Sequence, residues 1–195
     1  MNKRVYRRRK GGIVFLFVWM FHSAFGRMPE MLQQDFSSQC LERNGHTLFL
    51  NGQAIHTVSM FKVKVYEISL FLENRSTDPD QILQSVGSKV LLLKFLREVG
   101  AEPLRKAFSD GFYENCHSLC DSLKVYLDEL NSKMQGFQDG DSLEFQFLPS
   151  QVILRSSLGD YFEINAPKFG LVLLSIWLGS NPPSLNLKNG ILGRL

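Results

Sequence analysis

Several features that would assign a chemistry are missing from this sequence of 195 residues. It has no glycine-rich phosphate loop, no Gly-x-Ser-x-Gly nucleophile elbow and no histidine-rich zinc motif, so the usual sequence evidence for nucleotide, hydrolase or zinc chemistry is lacking. Asp139 and Asp141 stand without the other spaced ligands of a calcium loop and are better explained as turn residues. We therefore expect neither a metal nor a cofactor.

Cysteine is scarce, with only Cys40, Cys116 and Cys120. An odd count allows at most one disulfide within the chain and leaves one thiol free or paired with another chain. The segment from Cys116 to Cys120 fits neither haem attachment, which needs Cys-x-x-Cys-His, nor a closed zinc site, which needs four ligands. Both residues fall on the apolar stripe of a predicted amphipathic helix, which indicates a buried structural role. Whether Cys40 pairs with either of them is left open.

Long apolar runs are also absent. The nine apolar residues 13–21 are too few to cross a bilayer core, which needs about 20 helical residues. Because this run follows six basic residues and precedes Ala24-Phe25-Gly26, we interpret residues 1–26 as a cleaved signal peptide. The alternative is an uncleaved signal anchor. We accordingly expect an exported protein, periplasmic in a Gram-negative bacterium, with no membrane span after cleavage.

Basic residues are in the minority once this leader is set aside. All 19 acidic residues follow Gly26, whereas six of the 22 basic residues precede it, which leaves the remainder with a formal charge of −3. A mildly acidic domain without a basic stripe has no electrostatic footprint for nucleic acid, and we expect none as a partner. The remainder is long enough for one domain with its own core, and we expect a monomer.

Hydrophobic patterning predicts an antiparallel α+β domain. Residues 27–45 lack periodicity and are expected to be irregular. Strands are predicted at 46–50 and 53–61, joined by an Asn51-Gly52 hairpin turn, and then at 62–72, 89–96, 142–148, 152–156 and 161–165. Helices are predicted after a Thr77 cap, from Glu102 to Met134 in two segments, and from Pro167 to Leu178. This order favours an antiparallel sheet with helices packed on one side.

Five short segments follow one another in an order that is found in a known family. They are Asn51–His56, Lys64–Leu72, Phe95–Val99, Phe108–Cys116 and Leu174–Gly179. Together they resemble the chalcone isomerase-like family, and in particular its bacterial members with a signal peptide. The resemblance implies the open-faced β-sandwich of that family over residues 46–195. It leaves the activity open, because the family contains plant enzymes that close chalcones to flavanones and non-catalytic relatives that bind fatty acids.

The resemblance also implies where a site would lie. The family's catalytic arginine falls on His56, its strand threonine on Tyr66, its helix tyrosine on Phe108 and its last-helix hydroxyl on Gly170, while its asparagine is retained as Asn115. An imidazole is mostly neutral near pH 7 and lacks the permanent charge and bidentate geometry of a guanidinium. Phe108 has no hydroxyl. We therefore expect a poor cyclase and assign no catalytic residue.

The favoured interpretation is a protein that binds a small apolar or amphiphilic ligand, such as a fatty acid, in a cleft between sheet and helices. Arg97 would pair with a ligand carboxylate beside the five residues just named. Each of these residues also has a structural alternative. His56 could lie in water at the edge of a hairpin, and Tyr66 and Phe108 could serve packing alone. Asn115 could join two helices, and Arg97 could form a surface salt bridge with Glu98.

Two other hypotheses stay open. The first is an intramolecular lyase or isomerase that acts on a chalcone-like or other enone substrate, with His56 as base or oxyanion donor. The second is an interaction protein whose apolar residues fill the interior and leave no cavity.

Overall fold

The computed structural model describes residues 39–195, so the predicted signal peptide lies outside the described residues. Within this range one antiparallel sheet has seven strands, and each strand pairs with the next in chain order: β1 Cys40–Arg43, β2 His46–Val58, β3 Val63–Leu72, β4 Lys89–Phe95, β5 Ser142–Leu148, β6 Gln151–Ser156 and β7 Tyr161–Asn165. The same range holds five α-helices: α1 Pro79–Gln84, α2 Ala101–Asn115, α3 Cys120–Lys133, α4 Phe169–Leu178 and α5 Leu185–Ile191. The predicted α+β plan is confirmed.

The main core lies between one face of the sheet and the helices. Side chains alternate along β3, β4 and β5, and every second one points into this core. The central strand β4 is buried along nearly its whole length, as its apolar sequence predicted. Helix α4 is apolar on all sides and buries eight of its ten residues, which fits its place between the sheet and the other helices. No helix within residues 39–195 is both long and apolar enough to cross a membrane.

The opposite face of the sheet is covered by the first hairpin of the same sheet. Leu41 of β1 and Leu48 of β2 pack there in a second apolar cluster with Phe71, Val90 and Leu92 of β3 and β4. In a flat sheet β1 and β5 would lie about 19 Å apart, four strand spacings of roughly 4.8 Å. An ion pair nevertheless joins β1 to β5. The sheet therefore curls until its first hairpin folds over its own second face.

The carboxylate in that ion pair belongs to Glu144 and has no exposure to water. Along β5, Leu143, Phe145 and Phe147 point into the main core, but Glu144, which points away from it, is also fully buried. Arg43 reaches its carboxylate with Nε at 3.0 Å from both oxygens and with Nη2 at 2.7 Å from Oε2. Arg155 donates from Nη1 to Oε1 at 2.8 Å and to the Gln146 amide oxygen at 3.1 Å. A buried charge is tolerated when it is paired and hydrogen-bonded in this way.

The Asn51-Gly52 hairpin prediction is wrong, because β2 runs straight through both residues with a β-bulge between Leu50 and Gly52. Asn51 and Gly52 are instead explained by helix α5, which packs across β2 at these two residues. A Cβ on Gly52 would lie 2.2 Å from the Gly190 carbonyl oxygen, so only glycine fits. The Asn51 amide donates to the Ile191 carbonyl oxygen at 2.9 Å and fastens the helix. The turns that bound β2 are at residues 44–45 and 59–62.

Three other predictions need correction. Residues 40–43, in the segment expected to be irregular, form β1, whose single buried side chain is too weak a pattern to read. The cap of α1 is Asp78 and not Thr77, because the Asp78 carboxylate accepts from the amides of the first turn. Helix α5 was not predicted; it begins after Ser184, whose hydroxyl accepts from the Leu187 amide.

One disulfide joins Cys116, the C-terminal cap of α2, to Cys120, the first residue of α3. A single 3₁₀ turn lies between them, with His117 in the left-handed region at φ 49°. Cys116 is buried, as the apolar stripe predicted, but it is oxidised. Cys40 is exposed and free, so it bridges to neither helix cysteine.

We expect Arg43→Met to lower the free energy of unfolding by about 2–3 kcal/mol, because the buried Glu144 carboxylate would lose a charged partner. Urea unfolding followed by circular dichroism measures this change. The matched control is Lys106→Met, which removes the exposed i,i+4 ion pair with Asp110 and should cost less than about 1 kcal/mol. Equal losses in the two variants would show that the buried pair adds nothing specific.

Candidate ligand-binding cleft

A cleft of about 540 Å³ opens between the last part of β2, the strands β3 and β4, helix α2 and the end of α4. Its inner surface is formed by buried apolar side chains, namely Leu93, Phe95, Leu104, Phe108, Ile176 and Trp177. Its rim carries exposed charged side chains, namely Arg97, Glu98, Asp110 and Glu114. The cleft is therefore apolar inside and charged at its mouth.

Close packing of α2 on α4 closes the inner end of the cleft. A Cβ on Gly111 of α2 would lie 2.8 Å from Cγ2 of Ile176, so glycine allows the two helices to approach here. The loop between β4 and α2 forms the other wall. It is held by Val99, which exchanges two backbone hydrogen bonds of 2.9 Å with Phe137. Both walls thus rest on elements that are fixed by the main core.

Tyr66 presents a protonated phenol inside this cleft. Its hydroxyl oxygen accepts a hydrogen bond of 3.2 Å from Nε1 of Trp177. Burial raises the pKa of Tyr66 to about 12, against the smaller lowering effect of that hydrogen bond. Within residues 39–195 the hydroxyl proton has no acceptor, so it is free to donate to a ligand. Tyr66 is therefore suited to bind an oxygen atom and unsuited to act as a base near pH 7.

His56 lies beside Tyr66, with the two rings stacked at a centroid distance of 4.8 Å. Burial lowers the pKa of His56 below its usual 6.5, which keeps the imidazole neutral at pH 7. Its Nδ1 is buried and has no hydrogen-bond partner among the described residues. The polar pair inside the cleft is thus uncharged.

Arg97 is exposed at the rim and, within the described part of the chain, forms neither an ion pair nor a hydrogen bond. The alternative salt bridge with Glu98 is therefore not made. Asp110, also at the rim, is paired with Lys106 at 2.5 Å. Among the residues that line the cleft, Arg97 is the one with a permanent positive charge.

The structure brings four of the six predicted site residues to the cleft: His56, Tyr66, Arg97 and Phe108. Phe108 lines it and also packs, with its ring 5.8 Å from Trp177 and 5.5 Å from Phe145. Asn115 does not line it. Its amide donates to the carbonyl oxygens of Gly111 and Asn181, and its oxygen accepts from the Asn181 amide, so it joins α2 to the segment after α4.

Gly170 also lies away from the cleft. A Cβ at this position would lie 3.0 Å from Val152 and 3.4 Å from Phe147, side chains that α4 meets on the sheet. The family's last-helix hydroxyl therefore has no counterpart in the cleft at this residue.

Trp177 is a cleft residue with a polar group that sequence reasoning missed. It stands in an apolar helix, and that pattern indicates core packing alone. The available signal was chemical, because an indole N–H that is buried needs an acceptor. The acceptor is Tyr66, 111 residues earlier in the chain.

The family model described as chalcone isomerase-like matches residues 35–193. The chain belongs to the chalcone isomerase-like family. Among solved structures, the fatty-acid binding protein AtFAP1 from Arabidopsis thaliana has a TM-score of 0.61 and 10% sequence identity, over 78% of this chain and 95% of that chain. At this identity the likeness shows the fold alone. No curated protein sequence matches the chain.

Membership in the chalcone isomerase-like family confirms the resemblance and the fold that the five segments implied. The family match begins at residue 35 and the sheet begins at Cys40, whereas the domain was predicted from residue 46.

Tyr66 gives the protein a specific loss of stability in alkali. The unfolded chain releases this proton near pH 10 and the folded chain near pH 12, so unfolding becomes easier as pH rises through that window. We expect this group to lower the free energy of unfolding by about 2–3 kcal/mol as the pH rises through that window. Tyr66→Phe should abolish this pH dependence and should itself lower the free energy of unfolding by about 1 kcal/mol at pH 7. Urea unfolding at several alkaline pH values measures both. Tyr113→Phe, which changes an exposed tyrosine, should lose stability in alkali as the wild type does. If this variant no longer lost stability in alkali, the assignment to Tyr66 would be refuted.

Proposed function

We propose that this chalcone isomerase-like protein is a non-catalytic binding protein for a fatty acid or a similar amphiphile. The observation that carries the proposal is the cleft itself, which has an apolar interior, uncharged donors within it and one unpaired cation at its mouth. Small-molecule sites are commonly concave, mostly apolar and of a few hundred Å³, with a small number of polar groups that orient the ligand. The volume of about 540 Å³ lies in that range.

The charge distribution favours one orientation of the ligand. The buried phenylalanine, leucine and tryptophan side chains would contact the hydrocarbon chain, and each CH₂ removed from water contributes about 0.8 kcal/mol. Arg97 at the mouth would bind the carboxylate by charge-assisted hydrogen bonds. Glu98 and Glu114 stand at the same rim and oppose an anion. We therefore expect most of the affinity to come from the chain and a smaller part from the head group.

The same chemistry argues against cyclisation of chalcones. That reaction develops negative charge on oxygen, which a permanent cation and a phenol stabilise in the catalytic relatives that the resemblance implies. By the same resemblance, His56 corresponds to the cation and Phe108 to the phenol; His56 is a neutral imidazole and Phe108 has no hydroxyl. The unpaired Nδ1 of His56 and the free hydroxyl proton of Tyr66 are the observations that favour an isomerase acting on another enone, and that activity is the second candidate.

We also propose that the protein is exported. The support is the basic, apolar and small-residue order of residues 1–26, together with a disulfide of the kind that persists in oxidising compartments. N-terminal sequencing of protein recovered from the periplasm or medium should begin at Arg27. Recovery of chains that begin at Met1 in the cytoplasm would contradict the proposal.

The ligand is tested first by mass spectrometry of organic extracts from gently purified protein, in which we expect an amphiphile with a long carbon chain. Binding of palmitate and of hexadecanol is then compared in Arg97→Met. This variant should lose about tenfold or more in affinity for palmitate, because a charge-assisted bond is removed, and little for hexadecanol. Arg75→Met, on the loop after β3, is the matched control and should bind both as the wild type does.

A second variant, Ala107→Trp, places a large ring into the cleft from α2 and should abolish binding of both compounds without unfolding the protein. An empty extract together with no binding of either compound would show that the protein is not a carrier. Turnover of a chalcone or another enone that is lost in His56→Ala, with the fold intact, would instead establish the isomerase.

A further inference from the structure

The turn between β2 and β3 exposes apolar side chains that have no packing partner. Met60 is 94% exposed and Phe61 is 88% exposed, far above the other phenylalanines that the structure describes. The turn is formed nonetheless, since the Lys62 amide donates to the Ser59 carbonyl oxygen at 3.2 Å and the Phe61 amide to the Ser59 hydroxyl at 3.3 Å. An ordered tip therefore presents a thioether and an aromatic ring to the surroundings.

Positive charge flanks these two side chains. Lys62 and Lys64 are exposed, and no acidic residue occurs from residue 57 to residue 66. This local excess stands out in a domain whose acidic residues outnumber its basic ones. Apolar side chains that project between lysines are the composition of peptide segments that enter the interface of an anionic bilayer.

The tip also adjoins the mouth of the cleft. Val58, at the end of β2, is 42% exposed and lines the cleft, and it pairs in register with Val63 on the other side of the turn. A surface that received Met60 and Phe61 would thus lie beside the opening that leads to the apolar interior. Arg97, the cation of the cleft rim, is at this opening as well.

We infer that the β2–β3 tip, residues 58–64, is a docking site for the surface of an anionic phospholipid bilayer. The tip is convex and offers only two fully exposed apolar side chains, which is far less than the roughly 800 Å² per partner of a standard protein interface. Its lysines match lipid phosphates. Docking would place the cleft mouth against the membrane, where the amphiphile of the proposed function is dissolved. The docking itself does not depend on that function.

The test uses a fluorophore whose emission shifts to the blue in apolar surroundings. Cys40 is replaced by Ser, because it is the free thiol of the described chain, and Met60→Cys is labelled with nitrobenzoxadiazole. With phosphatidylcholine vesicles that contain phosphatidylglycerol, we expect a blue shift; with phosphatidylcholine alone, a much smaller one. Adding salt should weaken the effect, because part of the attraction is electrostatic.

The matched control carries the same label at Val86→Cys. Val86 is 80% exposed and lies by the end of β3 that is opposite to the tip, so its label should not change. Phe61→Ser should weaken vesicle binding of the Met60-labelled protein by about tenfold or more. Lys62→Gln with Lys64→Gln should remove the preference for phosphatidylglycerol.

Three outcomes would overturn the inference. An unchanged label at residue 60 would show that the tip stays in water. Equal shifts at residues 60 and 86 would show that some other part of the protein binds the vesicles. A shift at residue 60 that follows protein concentration without vesicles would show that a second copy of the chain covers the tip. Palmitate binding measured on the same samples separates this inference from the proposed function, because either can fail alone.

Discussion

The buried carboxylate of Glu144 joins the first hairpin to the middle of the sheet. One arginine partner, Arg155, is its cross-strand neighbour on β6, whereas the other, Arg43, comes from β1, four strands away, so both reach the charge only when the sheet curls and brings its first hairpin across the second face. If the hairpin moved away, the carboxylate would lose Arg43, and removing one partner of a buried ion pair is costly. The apolar cluster around Phe71 and Val90 is sealed by the same movement.

Because the sheet curls, the two halves of β2 have different structural roles. Before the bulge at Asn51 and Gly52, β2 belongs to the hairpin that covers the second face. After the bulge it carries His56 to the cleft and ends at the exposed tip. Helix α5 crosses at the bulge and is fixed there by Asn51. The cover of the sheet, the cleft and the tip are therefore coupled through a single continuous strand.

The sequence predicted the parts of this structure that depend on local periodicity. Strands β3 to β7 and helices α2 to α4 follow from alternation, from continuous apolar runs and from helical spacing, which short windows record. The hairpin prediction at Asn51-Gly52 was wrong because the glycine is required by the close approach of α5 and not by a turn. Ile191 of that helix, which Asn51 contacts, lies 140 residues later in the chain. Three residues that the resemblance named, His56, Tyr66 and Phe108, line the cleft, as does Arg97 from one of the five segments. Trp177 was not predicted, since its partner lies on another element, and Gly170, which the resemblance also named, does not line the cleft.

The hydrogen bond between Trp177 and Tyr66 has a practical consequence. The chain contains two tryptophans, Trp19 and Trp177, and Trp19 lies within the segment interpreted as a signal peptide. In the processed protein Trp177 would be the sole indole, placed on the inner surface of the cleft with its N–H bound to a phenol. Indole emission responds to polarity and to hydrogen bonding. The processed protein would thus carry an intrinsic optical probe at the place where a guest molecule would enter, and its emission would report occupancy of the cleft.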